Sequence, residues 1–71
     1  MSDTAVSTQR SNDSWEMSLS LNGLETFVCY DQLGWWTWSQ TSTMVGRARK
    51  IRSATALEMI ERMMRIAKQT P

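Results

Sequence analysis

Residues 15–21, WEMSLSL, alternate strictly: Trp15, Met17, Leu19 and Leu21 fall on one side, Glu16, Ser18 and Ser20 on the other. A period of two predicts a strand with one buried face. Asn22-Gly23 follows, and both residues tolerate the positive φ that a two-residue hairpin turn demands. The next strand is 24–30, LETFVCY. A two-residue loop fixes its register. Leu21 lies opposite Leu24, Leu19 opposite Thr26, Met17 opposite Val28 and Trp15 opposite Tyr30, while Ser20–Glu25, Ser18–Phe27 and Glu16–Cys29 pair on the other face.

Residues 31–34, DQLG, read as a second turn and 35–40, WWTWSQ, as an aromatic third strand. Residues 41–43 are a polar link, and 44–51, MVGRARKI, a fourth extended segment. From about 54 to 69 the period becomes helical. Thr55 followed by Glu58 forms a capping-box pattern, with Ser53 as a competing cap, and Thr70-Pro71 closes the segment. Leu57, Ile60, Met64 and Ala67 form the apolar stripe, flanked by Met59 and Met63; Glu58–Arg62 and Glu61–Arg65 are spaced for pairing one turn apart. Residues 1–14, rich in Ser, Thr, Asp and Asn, read as a flexible polar tail ahead of a single domain over 15–69. The predicted fold class is α+β: an antiparallel three- to four-stranded β-meander with one C-terminal helix packed on one face.

One helix covers one face of a small sheet. The face carrying Trp15, Met17, Leu19, Leu21, Leu24, Val28 and Tyr30 is the one to cover. A second turn of two or four residues puts Trp36 and Trp38 on the opposite face with Phe27 and Cys29. A four-residue turn over 41–44 then sets Trp38 opposite Arg47 and Trp36 opposite Arg49, with Gly46 and Ala48 beneath the helix and Ile51 at the edge of the outer face. That outer face is aromatic and cationic, and Trp and Arg are the residues most enriched where binding energy concentrates. A three-residue turn at either place exchanges the faces, burying Trp36 and Trp38 and exposing Trp35.

Composition narrows the chemistry. The chain has 71 residues, no histidine and one cysteine, Cys29, which removes most zinc sites, Ser–His and Cys–His catalysis and an internal disulfide. The glycines are isolated, so no phosphate-cradling loop is present, and the acids give no spacing that suggests a catalytic carboxylate pair. An enzyme is therefore not expected, nor a cofactor. No apolar run spans a bilayer and the N-terminus lacks a secretory pattern, so a cytoplasmic protein with no membrane partner is expected. The net charge of +1 conceals an asymmetry. Residues 1–45 set Arg10 against Asp3, Asp13, Glu16, Glu25 and Asp31, whereas 46–71 set Arg47, Arg49, Lys50, Arg52, Arg62, Arg65 and Lys68 against Glu58 and Glu61. The dense run Arg47, Arg49, Lys50, Arg52 suits an anionic partner or a charged edge strand.

The strand closing on Gly34-Trp35-Trp36-Thr37-Trp38, the Gly46-Arg47-Ala48 segment and the helix opening at Arg52-Ser53-Ala54-Thr55-Ala56 together resemble small β-meander-plus-helix proteins of phages and mobile elements, some of them anti-CRISPR inhibitors of host defence. That resemblance implies a non-enzymatic inhibitor occupying a surface of a larger complex. The element order is also similar to the sheet-based DNA-binding domains of phage integrase arms and plant ethylene-response factors, which implies Trp36, Trp38, Arg47 and Arg49 in a DNA groove. The expected function is a protein-binding module, with DNA binding as the alternative. Its contact residues would be Phe27, Trp36, Trp38, Arg47, Arg49, Lys50 and Arg52. The partner would be a larger complex with an acidic or mixed surface, DNA, or a second copy in a homodimer.

Overall fold

In the computed structural model, which describes residues 4–69, the polar segment ahead of the aromatic strands is itself a strand. β1 (Ala5–Arg10) pairs antiparallel with β2 (Trp15–Leu21), Val6 opposite Leu19 and Thr8 opposite Met17. This corrects the expected tail over 1–14, of which residues 1–3 lie outside the described residues. A polar edge strand needs little hydrophobic patterning, because its stability comes from the ladder to its neighbour and from a few inward side chains. Val6 supplies one, packing against the core. The return to β2 is closed by Ser11 N–H donating to the Ser14 carbonyl at 2.9 Å, with the two hydroxyls 2.6 Å apart.

β2 turns into β3 (Leu24–Asp31) through Asn22 and Gly23, at φ 53° and 85°, in the register read from the sequence. β3 turns into β4 (Gly34–Gln40) through Gln32 and Leu33, with Phe27 opposite Trp38 and Cys29 opposite Trp36. A short β5 (Arg49–Ile51) completes an antiparallel sheet in the order β1-β2-β3-β4-β5, and α1 (Ser53–Gln69) packs across it. The α+β meander with one C-terminal helix is thus the fold, with five strands in place of three or four. Ala56 N–H donates to the Arg52 carbonyl at 2.9 Å, so Ser53 and Thr55 sit inside the first turn and do not cap it. Thr70 and Pro71 lie outside the described residues.

The core lies between the sheet and the helix: Met17, Leu19 and Val28 from the strands, Ala56 and Met63 from α1. Trp15, Trp35, Ile51, Met59, Ile60 and Ile66 pack around it. Thr37 is buried in this layer and satisfied, its hydroxyl donating to the Phe27 carbonyl at 2.8 Å. The helix is rotated by about one residue from the expected stripe. Ala56 and Met63 are buried, whereas Leu57 and Met64 are 58% and 47% exposed. The apolar arc is wide enough to hold two overlapping stripes, and close contact with the sheet selected the one containing the small Ala56. The helix also leaves the end of the β2–β3 hairpin partly open. A cavity of about 250 Å³ lies there, lined by Leu21, Leu24, Met59 and Arg62 among others.

The largest departure is in the fourth extended segment. Gln40 bridges to Val45 across the four-residue turn 41–44, as read from the sequence. Trp38 and Ser39 then face Gly46, Arg47 and Ala48, one residue more, before pairing resumes as Thr37–Arg49, Trp36–Lys50 and Trp35–Ile51. An extra residue on one strand moves every later side chain to the other face. Arg49 therefore stands on the helix side opposite Thr37, Lys50 takes the outward place opposite Trp36, and Ile51 joins the core. Gly46 permits the close approach at the start of this bulge: its N–H donates to the Ser39 carbonyl at 2.7 Å, and a Cβ there would sit 2.7 Å from the same oxygen.

Candidate functional site

The sheet face away from the helix is built in cross-strand rows. One runs Gln9, Glu16, Cys29, Trp36, Lys50, the next Ser7, Ser18, Phe27, Trp38, and a third Ala5, Ser20, Glu25, Gln40. Strand pleating alone puts these side chains on one side. The β1 and β2 portion is small and polar, with the Ser7 and Ser18 hydroxyls 2.9 Å apart. The β3 and β4 portion holds the large groups. Phe27 and Trp38 stack with centroids 4.8 Å apart and planes 8° from parallel, and Trp36 lies in the adjoining row beside Cys29. All four are half-buried, covered by one another and not by the helix. Beside Trp38 an open recess of about 270 Å³ is lined by Val45, Gly46 and Ala48. Gly46 and Ala48, expected beneath the helix, line this recess because the bulge carries them out of the ladder.

Polar contacts hold the platform in place. Asp31 Oδ1 accepts from the Leu33 backbone N–H at 2.8 Å and from the Trp36 indole N–H at 3.1 Å, so the turn that starts β4 also orients the tryptophan. Glu25 accepts from the Gln40 amide at 2.9 Å. Lys50 Nζ lies 5.8 Å from the centre of the Trp36 ring, within cation–π range. Trp35, the other member of the tandem, faces the helix, packing edge-on against Trp15 at 6.1 Å and tilted on Tyr30 at 4.7 Å.

The charges on this face differ from those of the aromatic and cationic face expected from Arg47 and Arg49. Among the described residues, the outward strand positions carry three carboxylates, Glu16, Glu25 and Asp31, and one cation, Lys50. Cys29, in the middle, feels the result. Burial first, then the charges of Asp31 and Glu16, push its thiol above the ordinary value of 9.0, so it stays protonated at neutral pH.

Of the contact residues read from the sequence, Phe27, Trp36, Trp38 and Lys50 are brought together. Arg47, Arg49 and Arg52 are not. All three are exposed, but Arg47 lies in the bulge, Arg49 on the helix side and Arg52 in the link to α1. The sequence reading placed Glu16 and Glu25 on this face but left them out of the contact residues, and it read Asp31 as part of the second turn. The signal was parity, since Glu25 and Asp31 share the odd-numbered positions of Phe27 and Cys29.

No group of three or more His, Cys, Asp or Glu side chains suited to a metal ion occurs among the described residues. None of the described helices is long and apolar enough to cross a membrane. Fold and site together define a small sheet-and-helix domain with an aromatic, acid-rimmed open face. No family model matches the chain, and neither the curated proteins nor the solved structures compared with it yield a match.

Proposed function

We propose that this protein is a non-enzymatic protein-binding module that docks through its outer sheet face, acting as a cytoplasmic inhibitor or accessory factor that occupies a surface of a larger complex. The observation that carries this reading is the contiguous platform of Phe27, Trp36 and Trp38, left open by the helix and fixed by the Asp31–indole bond. Rigid aromatic groups beside a recess are what a partner's side chain needs for a central, desolvated contact. The recess bounded by Trp38, Val45, Gly46 and Ala48 offers a place for one inserted side chain.

Affinity capture with the parent chain, Trp36→Ala, Trp38→Ala and Arg49→Glu tests it. A defined partner held by the parent and by Arg49→Glu, but lost from both tryptophan variants, is the expected result. Equal retention by all four sinks the assignment. DNA is the second reading, favoured by the exposed Arg47, Arg49 and Arg52 around β5. It would then engage the basic edge and not the aromatic face. A labelled duplex whose binding weakens steeply with salt and is lost in Arg49→Glu, but not in Trp36→Ala, would support that reading.

A further inference from the structure

We infer that the segment seated on the outer face is cationic and arginine-bearing, a basic stretch of a protein partner. This rests on the docking reading and adds the chemistry of the occupant. Three observations carry it. First, the charges around the platform are mostly negative. Glu25 and Asp31 stand at opposite ends of β3 and Glu16 flanks Cys29 from β2, so a segment lying over Phe27 and Trp38 meets a carboxylate on three sides. Second, the platform already holds a cation. Lys50 Nζ sits 5.8 Å from the Trp36 ring centre, and a partner's guanidinium would make the same kind of contact on the Trp38 face turned away from Phe27. A planar guanidinium stacks on aromatic faces while its edge donates to a carboxylate in two parallel bonds. Glu16, one row away on β2, is placed to accept them, and Glu25, one row from Phe27 on the same strand, has its second oxygen for one more bond while the first accepts from Gln40. Third, Cys29 at the centre of the patch lies close enough to Asp31 and Glu16 for their charges to add to burial, the larger cause, in raising its thiol pKa. A phosphate backbone or an acidic protein surface would meet those charges unfavourably. The acidic partner expected from the sequence rested on the basic run Arg47, Arg49, Lys50, Arg52 and on Arg49 facing outward, and the bulge puts Arg49 on the helix side.

The test is selection of a displayed random-peptide library on the immobilised full chain. Synthetic copies of the enriched peptides are then titrated against the parent, Trp36→Ala, Trp38→Ala and the surface double variant Glu16→Gln/Glu25→Gln. The enriched peptides should be rich in arginine. Their binding should be lost in the tryptophan variants and should fall about tenfold in the double variant, as for one charge-assisted bond lost. If a tryptophan variant fails to fold, indole N–H resonances of the parent chain locate the contact: Trp36 and Trp38 should shift on peptide addition, and Trp15 and Trp35 should not. Peptides that need Trp36 and Trp38 yet carry no excess of basic residues would overturn the charge inference and leave the docking reading standing. Enrichment of no peptide that depends on Trp36 or Trp38 would overturn both.

Discussion

Replacing Gly46 by alanine tests the bulge, and with it the composition of the outer face. A Cβ at this position would lie 2.7 Å from the Ser39 carbonyl oxygen and 3.6 Å from the Ser39 nitrogen. Both are backbone atoms of β4, held in the middle of the sheet by pairing to β3, so neither can swing aside as a side chain would. Two costs follow. Forcing the extra carbon into a filled space costs roughly 1–3 kcal/mol. Moving the strand outward to relieve it stretches the 2.7 Å bond from Gly46 N–H to the Ser39 carbonyl, worth about 0.5–1.5 kcal/mol net. The sum is on the order of 2–4 kcal/mol, set against the roughly 3–5 kcal/mol that the core of a domain this small supplies. Gly23→Ala is the control. Nothing lies within 4 Å of a Cβ there, and only the positive φ of 85° opposes it, which should cost about 1–2 kcal/mol. Urea unfolding followed by tryptophan fluorescence measures both. Gly46→Ala should lower the midpoint at least as far as Gly23→Ala, and its Trp38 indole resonance should move because the recess beside it deforms. A Gly46→Ala chain within about 0.5 kcal/mol of the parent, the range of an ordinary surface change, would mean that this strand is not pressed against Ser39. The displaced register, with Lys50 in place of Arg49 beside Trp36, would be refuted with it.

Two further expectations follow from burial and charge. Met63→Ala should destabilise the domain by about 2–5 kcal/mol, whereas Met64→Ala, next to it but 47% exposed, should stay near 0.5 kcal/mol in the same unfolding assay; the opposite ranking would restore the helix stripe read from periodicity. Alkylation of Cys29 by iodoacetamide should be slow at neutral pH and should speed up in Asp31→Asn and Glu16→Gln, because removing either negative charge lowers the thiol pKa and raises the thiolate fraction at fixed pH. Rates that do not respond to either substitution would leave burial alone as the cause.

Much of the architecture was legible because local rules carried it. The strict alternation over 15–21 and the Asn22-Gly23 turn determine the β2–β3 register, and a second two-residue turn keeps Phe27, Cys29, Trp36 and Trp38 on one face. The helix follows from its period, though not which of its two overlapping stripes is buried. That choice needed the sheet, against which small Ala56 fits closer than Leu57. β1 was hidden for a related reason. Ala5–Arg10 carries no hydrophobic pattern of its own and is a strand because the edge of β2 offers it a ladder and the core accepts Val6. Parity already put Glu16, Glu25 and Asp31 outward, so the carboxylate rim was legible. The bulge after Val45, invisible to any alternation rule, decided that Lys50 and not Arg49 is the cation opposite Trp36. Local pattern along the chain carried β2, β3, β4, the helix and the aromatic platform, since these depend on neighbours in sequence. The edge strand, the helix rotation and the choice of Lys50 over Arg49 beside Trp36 came from tertiary structure, because each depends on how two distant backbones meet.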